Sequence, residues 1–406
     1  MDKTPLPPGV PDLTLKEQWQ NDFVFYSNVI LNSLGLACGL IVVFIIIGLG
    51  CYNRKLVDRV SLRLTAAISF VDALKAIAFL IYTFYPVSGW VCDFAAWSVV
   101  WLTLLYSFLT DAIAINLQLV FLHGRPYRQW WEYWYWGVPI LASLIISIPP
   151  YALNHLGFDL AQQLCWYKDS HTQLAKNIEW ATYLFWVMGS CVYCTVVVIL
   201  VIIKLQNSAR ELASMSQTPR PNTELESRFR KTQKTLHKLI RRIALYPLIP
   251  FITQMGFCIC ELWMHHRREL NFGIDVWSVW GTDIPGILNL IAFSLDPAVH
   301  NSFNTIKNDL IAKYGHEEQP YPLATEHKPR QKTMGERIGR FIVFRILKAD
   351  KNSSIRDPKT STFEIGTQMS TNYYQLESNL SPQNRSHFQE ERLGDTYAYR
   401  KMVEGL

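Results

Sequence analysis

Leu36-Ala-Cys-Gly-Leu-Ile-Val-Val-Phe-Ile-Ile-Ile47 contains no charged residue and sits inside an apolar run from Asn28 to Cys51. An α-helix needs about 20 such residues to cross the hydrocarbon core of a bilayer, and only helices and closed barrels cross with every backbone group satisfied. Val196-Val-Val-Ile-Leu-Val-Ile-Ile203 repeats the pattern inside a run from Trp180 to Leu205. Five further runs complete the series: Leu62–Phe84, Ala95–Leu122, Tyr135–Leu153, Leu239–Trp263 and Val276–Leu295. Seven runs predict an all-α membrane protein, a seven-transmembrane helix bundle over residues 28–297. Residues 1–27 precede it, residues 298–314 follow as an amphipathic helix, and residues 315–406 form a tail.

Orientation follows from Lys and Arg, which accumulate in short cytoplasmic loops. Arg54, Lys55, Arg59 and Arg63 lie between the first and second runs, Arg125 and Arg128 between the third and fourth, and ten more from Lys204 to Arg242, sixteen in all. The alternate loops contain four: Lys168, Lys176, Arg267 and Arg268. The N-terminus is therefore expected outside and the C-terminus inside, as in a multi-pass plasma-membrane protein. Thr4–Pro11 lacks the basic-then-apolar pattern of a cleaved leader, so the first run is expected to act as signal anchor. A net charge of +6 could point to nucleic acid, but the excess belongs to loops beside an anionic leaflet, so no nucleic-acid partner is expected.

Of eight cysteines, only Cys92 and Cys165 fall in expected outer loops, on the oxidising side, which predicts one disulfide between them. Cys191, Cys194, Cys258 and Cys260 read as small packing residues in apolar helices. In the tail, Ser, Thr, Gln, Lys, Glu and Pro replace apolar residues, and most of it is expected to be disordered. Phe303, Ile306, Leu310 and Tyr314 recur at spacing three to four, the pattern of a helix lying along the inner surface. The basic, apolar stretch Arg337–Lys348 reads as a membrane-surface contact, with a dedicated partner site as the alternative.

Ionisable residues inside a span are expensive and mark functional or coupling sites. Asp72 and Lys75 lie three apart on the second run and so share a face. One reading is a mutually neutralising pair that fixes packing. The other splits the residues by depth. Lys75 and Asp283, with Trp97, Trp101 and Gln254, would line a cavity open to the outside and bind a polar ligand. Asp72, Asp111, Asn289 and Asp296 would form a deeper network that changes on activation, with His300 at its end. Trp97 and Trp101 also fit the alternative role of interfacial anchors, as do Trp130, Trp131, Trp134 and Trp136. Pro247 and Pro250 predict a kink in the sixth span. Below it Lys238, Arg241 and Arg242, together with Arg125 in the second inner loop, offer a basic surface to a cytoplasmic partner.

Four passages resemble G protein-coupled receptors, specifically the fungal glucose- or carbon-sensing receptors and the related slime-mould cyclic AMP receptors. They are Asp58-Arg-Val-Ser-Leu-Arg-Leu-Thr-Ala-Ala-Ile-Ser-Phe-Val-Asp72, Cys165-Trp166, Arg241-Arg-Ile-Ala-Leu-Tyr-Pro-Leu-Ile-Pro250 and Asp296-Pro-Ala-Val-His300. The resemblance covers Asn28–Tyr314. It implies an extracellular small-molecule ligand, a heterotrimeric G protein α subunit as partner, and often cyclic AMP signalling. The third span ends His123-Gly-Arg-Pro126 rather than Asp-Arg-Tyr, and the seventh ends Asp-Pro-x-x-His, both departures from rhodopsin-like receptors.

Other functions fit these residues less well. A transporter of a small polar solute is the alternative, but no internal repeat relates the first three and last three spans. None of the ten histidines falls deep in a span, which argues against an intramembrane metal hydrolase, and no metal or cofactor is expected. The seventh span has no lysine for a retinal Schiff base. The expectation is a receptor without catalytic residues.

Overall fold

Backbone groups in hydrocarbon have no water to bond, so apolar runs of this length close their own hydrogen-bond ladders. The protein is described by a computed structural model covering residues 12–57, 60–123, 129–215 and 245–314, within which every expected span is helical. Helix α1 runs Gln18–Tyr52, followed by a 3-10 turn at Arg54–Leu56 and by α2 (Val60–Phe84), α3 (Trp90–Phe121) and α4 (Gln129–Ala152). Strands β1 (Leu156–Asp159) and β2 (Leu164–Tyr167) lead to α5 (Gln173–Glu179), a π-helical turn at Trp180–Leu184 and α6 (Phe185–Met215). Helices α7 (Leu245–Arg267), α8 (Phe272–Asp283) and α9 (Pro285–Ser294) complete the bundle. Helix α10 (Pro297–Tyr314) belongs to a second compact unit and spans the expected amphipathic segment.

Among the described residues, five helices are long and apolar enough to cross a membrane: Gln18–Tyr52, Leu62–Phe84, Trp90–Leu119, Trp130–Ala152 and the continuous Gln173–Lys204. Helix α7 and the pair α8–α9 stand where the sixth and seventh runs were read. The break between α8 and α9 falls at Asp283-Ile284-Pro285, because proline has no N–H to donate and takes the first position of α9. Pro250 sits inside α7, and Pro139, Pro149 and Pro150 inside α4.

Burial shows which faces are turned inward. The most apolar window of α3 is 78 % buried against 28 % for those of α1 and α4, so α3 is the axis of the bundle. It packs on α2, α4, α6, α7 and both strands. Leu64, Leu104, Tyr106, Leu109, Leu184 and Val187 form the heart of the core, while Phe44, Ile47 and Ile145 point outward from α1 and α4 as lipid-facing residues do. Close helix approach needs missing side chains. A Cβ on Gly281 of α8 would lie 2.3 Å from the backbone oxygen of Thr253 on α7.

The hairpin corrects the all-α expectation. Its strands are antiparallel, with Phe158 opposite Cys165, and β2 is pinned to the start of α3 by the Cys92–Cys165 disulfide, the pairing expected from the cysteine count. Gly157 adopts φ 149°, and a Cβ there would collide with Asp93 Oδ1 at 2.1 Å, so only glycine lets β1 pass this close to α3. At the same end Leu13 N donates to Ala161 O at 2.9 Å, laying the segment before α1 against the hairpin loop. Helix α1 starts at Gln18, ahead of the apolar run, and its extra turns are held by Trp19 and Phe23 packing on Phe272 of α8.

Candidate functional site

Helix α1 buries a single stripe: Asn28, Asn32, Gly35, Gly39, Val42, Ile46 and Leu49. Spacing of three and four places these on one face, so the two asparagines must find polar partners inside the bundle. Asn32 Nδ2 donates to Asn28 O at 3.0 Å and Oδ1 at 3.1 Å, and Asn28 Oδ1 accepts from Thr83 Oγ1 of α2 at 2.8 Å. Asn32 also hydrogen-bonds Asp283, the last residue of α8, which is 4 % exposed.

Asp283 in turn attracts the ammonium of Lys75. Lys75 and Asp72 stand one turn apart on α2, with Nζ 4.0 Å from Asp72 Oδ1. Lys75 Nζ lies 5.1 Å from the ring centroid of Tyr106 on α3, a cation–π contact. Asp72 Oδ2 accepts a hydrogen bond from Asn289 Nδ2 of α9, and Asn289 also bonds the Tyr106 side chain. A buried polar chain therefore runs Thr83, Asn28, Asn32, Asp283, Lys75, Asp72, Asn289 and Tyr106, joining α1, α2, α3, α8 and α9.

The chain is incompletely satisfied. Among the described residues, Asp72 Oδ1, Lys75 Nζ and Asp283 Oδ2 have no hydrogen-bond partner, and neither has either amide end of Gln254, which is fully buried on α7. Orphaned buried polar atoms are costly, and they are the atoms that an entering polar group would satisfy.

Several sequence expectations change here. Lys75, Asp283 and Gln254 were expected in a cavity open to the outside, whereas all three are closed to solvent, at 3 %, 4 % and 0 % exposure. Lys75 and Asp72 belong to one chain rather than to separate layers. Trp97 precedes Tyr106 by nine residues, about 180° around α3 at about 100° per residue. It stacks on Trp101 with centroids 5.2 Å apart and meets Tyr151 of α4 at 5.5 Å, so the tryptophan pair does not join Lys75.

Asp111 likewise stands apart from Asp72. It accepts from Cys194 Sγ of α6 at 3.2 Å and bonds Ser190. One turn away Cys191 Sγ donates to Pro250 O of α7 at 3.5 Å, so these cysteines bridge helices as packing residues. Asp296, 8 % exposed, ends the first compact unit and His300 is exposed on α10 in the second. Arg125, Lys238, Arg241, Arg242 and Arg337–Lys348 lie outside the described residues.

A second polar cluster was not foreseen. Glu179 at the end of α5 meets Glu261 and His265 of α7 at the hairpin end, with one ligating atom from each within 4.8 Å of the others. The spacing of Glu261 and His265, four apart at the end of an apolar run, was its only signal. A small crevice beside it is lined by Leu13, Gln162, Ser170, Lys176, His265 and Arg268, among others. Asp159 of β1 orders this end, accepting from Ser170 Oγ at 2.7 Å and Gln162 N at 3.1 Å, while burial raises its carboxyl above the usual range.

No protein-family model matches the chain, and no curated protein matches it. Its structure is similar to the crystal structure of squid rhodopsin, with a TM-score of 0.57 at 13 % identity over 78 % of this chain and 90 % of that one. At that identity the likeness establishes the fold alone, a rhodopsin-type helical bundle.

Proposed function

We propose that the protein is a G protein-coupled receptor of the plasma membrane, with seven spans and the hairpin end outside, that senses a small polar ligand and activates a heterotrimeric G protein. The rhodopsin-type fold, extending over 78 % of the chain, carries this reading. Helix α7 supplies the sixth span and α8–α9 the seventh. The ligand class is a carbon source or similar nutrient, with output through cyclic AMP, as the resemblance to fungal carbon-sensing receptors implies.

Lys75, Asp283 and Gln254 offer unsatisfied charge and amide groups to the ligand. A ligand bearing both a donor and an acceptor competes with Lys75 for Asp283 and so perturbs the Asp72–Asn289 contact beneath. Because that contact joins α2 to α9, its change shifts the population between two bundle packings. Asp111 links α3 to α6 through Cys194 as a second relay, apart from Asp72, and Asp296 is assigned to activation at the end of the bundle. The basic residues Arg125, Lys238, Arg241 and Arg242 meet the G protein α subunit, and α10 lies along the inner membrane surface. No step requires a catalytic residue.

The test is guanine-nucleotide exchange on purified Gα subunits with the receptor in nanodiscs, adding sugars, amino acids and cyclic nucleotides in turn. Accelerated exchange, even basal, supports the receptor reading. No acceleration and no binding to nucleotide-free Gα overturns it and turns attention to a transporter, tested by flux of the same compounds.

A further inference from the structure

Glu179 and Glu261 face one another with exposures of 1 % and 4 %. Trp166 Nε1 of β2 donates to Glu179 Oε1 at 3.0 Å. His265 Nε2 lies 3.3 Å from Glu179 Oε2 and 4.0 Å from Glu261 Oε2. On the other side of the imidazole, Trp180 Nε1 donates to His265 Nδ1 at 3.3 Å. A ring nitrogen that accepts carries no proton, so the imidazole proton sits on Nε2 and points at the acids.

The donors are then accounted for. Glu179 Oε1 has the Trp166 donor and Glu179 Oε2 faces His265 Nε2, while Glu261 Oε2 has no donor among the described residues. Two buried carboxylates this close do not both ionise, and one retained proton supplies the missing donor between them. A metal ion would need Nε2 free of its proton and the Trp180 bond broken, so the tautomer favours a proton over a metal.

We infer that Glu179 and Glu261 form a proton-binding site in which the proton on Glu261 bonds Glu179, fastening α5 to α7 when held and loosening them when lost. Other titratable groups surround the pair. Asp275 of α8 and Asp159 of β1 add negative potential at Glu261. Tyr82 of α2, Tyr183 of the π-helical turn, and Cys258 and Cys260 of α7 are further titratable groups near Glu261. The positive groups stand farther out. Lys176 Nζ donates to the backbone oxygen of His265 at 3.3 Å, and Arg268 and His171 line the crevice wall.

That crevice gives protons a path to His265. With the hairpin end outside, as the receptor reading has it, the site answers to external pH. Its movable parts are placed to respond, because Glu179 directly precedes the π-helical turn and Trp166 follows the disulfide-pinned Cys165.

The test is infrared difference spectroscopy of the full chain in nanodiscs as pH is raised, with tryptophan fluorescence followed in parallel. The expected result is a protonated-carboxyl C=O band that disappears in a one-proton titration with the fluorescence change, is absent in Glu261→Gln, and moves in frequency and midpoint in Glu179→Gln. A wild-type spectrum with no pH-sensitive carboxyl band overturns the inference, as does a band unchanged in Glu179→Gln should Glu261→Gln fail to fold. A titration that appears only with added Zn2+ and vanishes with a chelator also overturns it and reassigns the cluster to a metal. None of these readouts involves the G protein, so their failure is distinct from failure of the receptor reading.

Discussion

Asn289 on α9 donates a hydrogen bond to Asp72 on α2, closing a separation of 217 residues. The contact binds the segment after the Pro285 break to the buried charges of α2. Without it, α9 would be fastened to α2 mainly by apolar packing, which is weakly directional.

Removing one charge of the α2 pair should be worse than removing both. Asp72→Ala leaves Lys75 buried with only Asp283 to offset it, a situation that typically costs about 3–5 kcal/mol. Lys75→Ala in the same background relieves that penalty. Thermal unfolding of purified single and double variants should therefore show a double mutant more stable than the sum of the singles predicts. Strict additivity would mean that the 4.0 Å pair does not interact.

Gln254→Met separates stability from function. The side chain is fully buried with both amide ends unpartnered among the described residues, so an apolar side chain of similar volume removes an unsatisfied group. Stability should be unchanged or raised by about 1 kcal/mol. If the amide binds ligand, the dose–response curve should shift by about tenfold or more, the equivalent of about 1.4 kcal/mol. A curve that does not move takes Gln254 out of the ligand site.

Asp283→Asn and Trp97→Phe make a contrasting pair. The first removes a charge that meets both Lys75 and Asn32, and the ligand response should weaken while surface expression persists. The second alters a ring stacked on Trp101 and tilted against Tyr151 on the far side of α3, and the response should hold. Equal effects from both would undo the assignment of the two faces.

How far these features could be read beforehand depended on the physics behind each. The first five spans were legible because the bilayer imposes length and apolarity on a crossing helix. Lys75, Asp72 and Asp283 stood out because charge is rare in such runs. The hairpin did not, since four-residue strands with nearly every side chain buried show no alternation, and β2 is placed by its disulfide to α3. The break at Pro285 was hidden inside Val276–Leu295, which reads as one apolar run. Helical spacing sets Trp97 opposite Tyr106, but which face meets Lys75 is decided by packing on α2. Asn28 and Asn32, four apart in the first span, were a visible signal left unused.

The disulfide should act chiefly on stability at the hairpin end. Cys92 and Cys165 close a separation of 73 residues, and replacing both with Ser should destabilise the fold by about 2–5 kcal/mol. Hydrogen exchange should rise first in β1 and β2. Exchange that rises equally through α6 and α9 would show that the bond supports the whole bundle instead.

Two glycine-to-alanine changes test helix approach. In an open helical site this substitution gains about 1 kcal/mol, because alanine loses less backbone entropy on folding. Gly137 of α4 is such a site, with no atom within 4 Å of a built Cβ, and Gly137→Ala should leave stability unchanged or higher. Gly281 is the opposite case, since its Cβ would reach 2.3 Å from the Thr253 carbonyl oxygen, a backbone atom that cannot rotate away. Gly281→Ala must push α8 from α7, and α8 ends in Asp283, so the Lys75 contact would loosen with it. The expected outcome is lower thermal stability and a weakened ligand response in Gly281→Ala alone. Wild-type stability in Gly281→Ala would show that α7 and α8 do not pack at this distance.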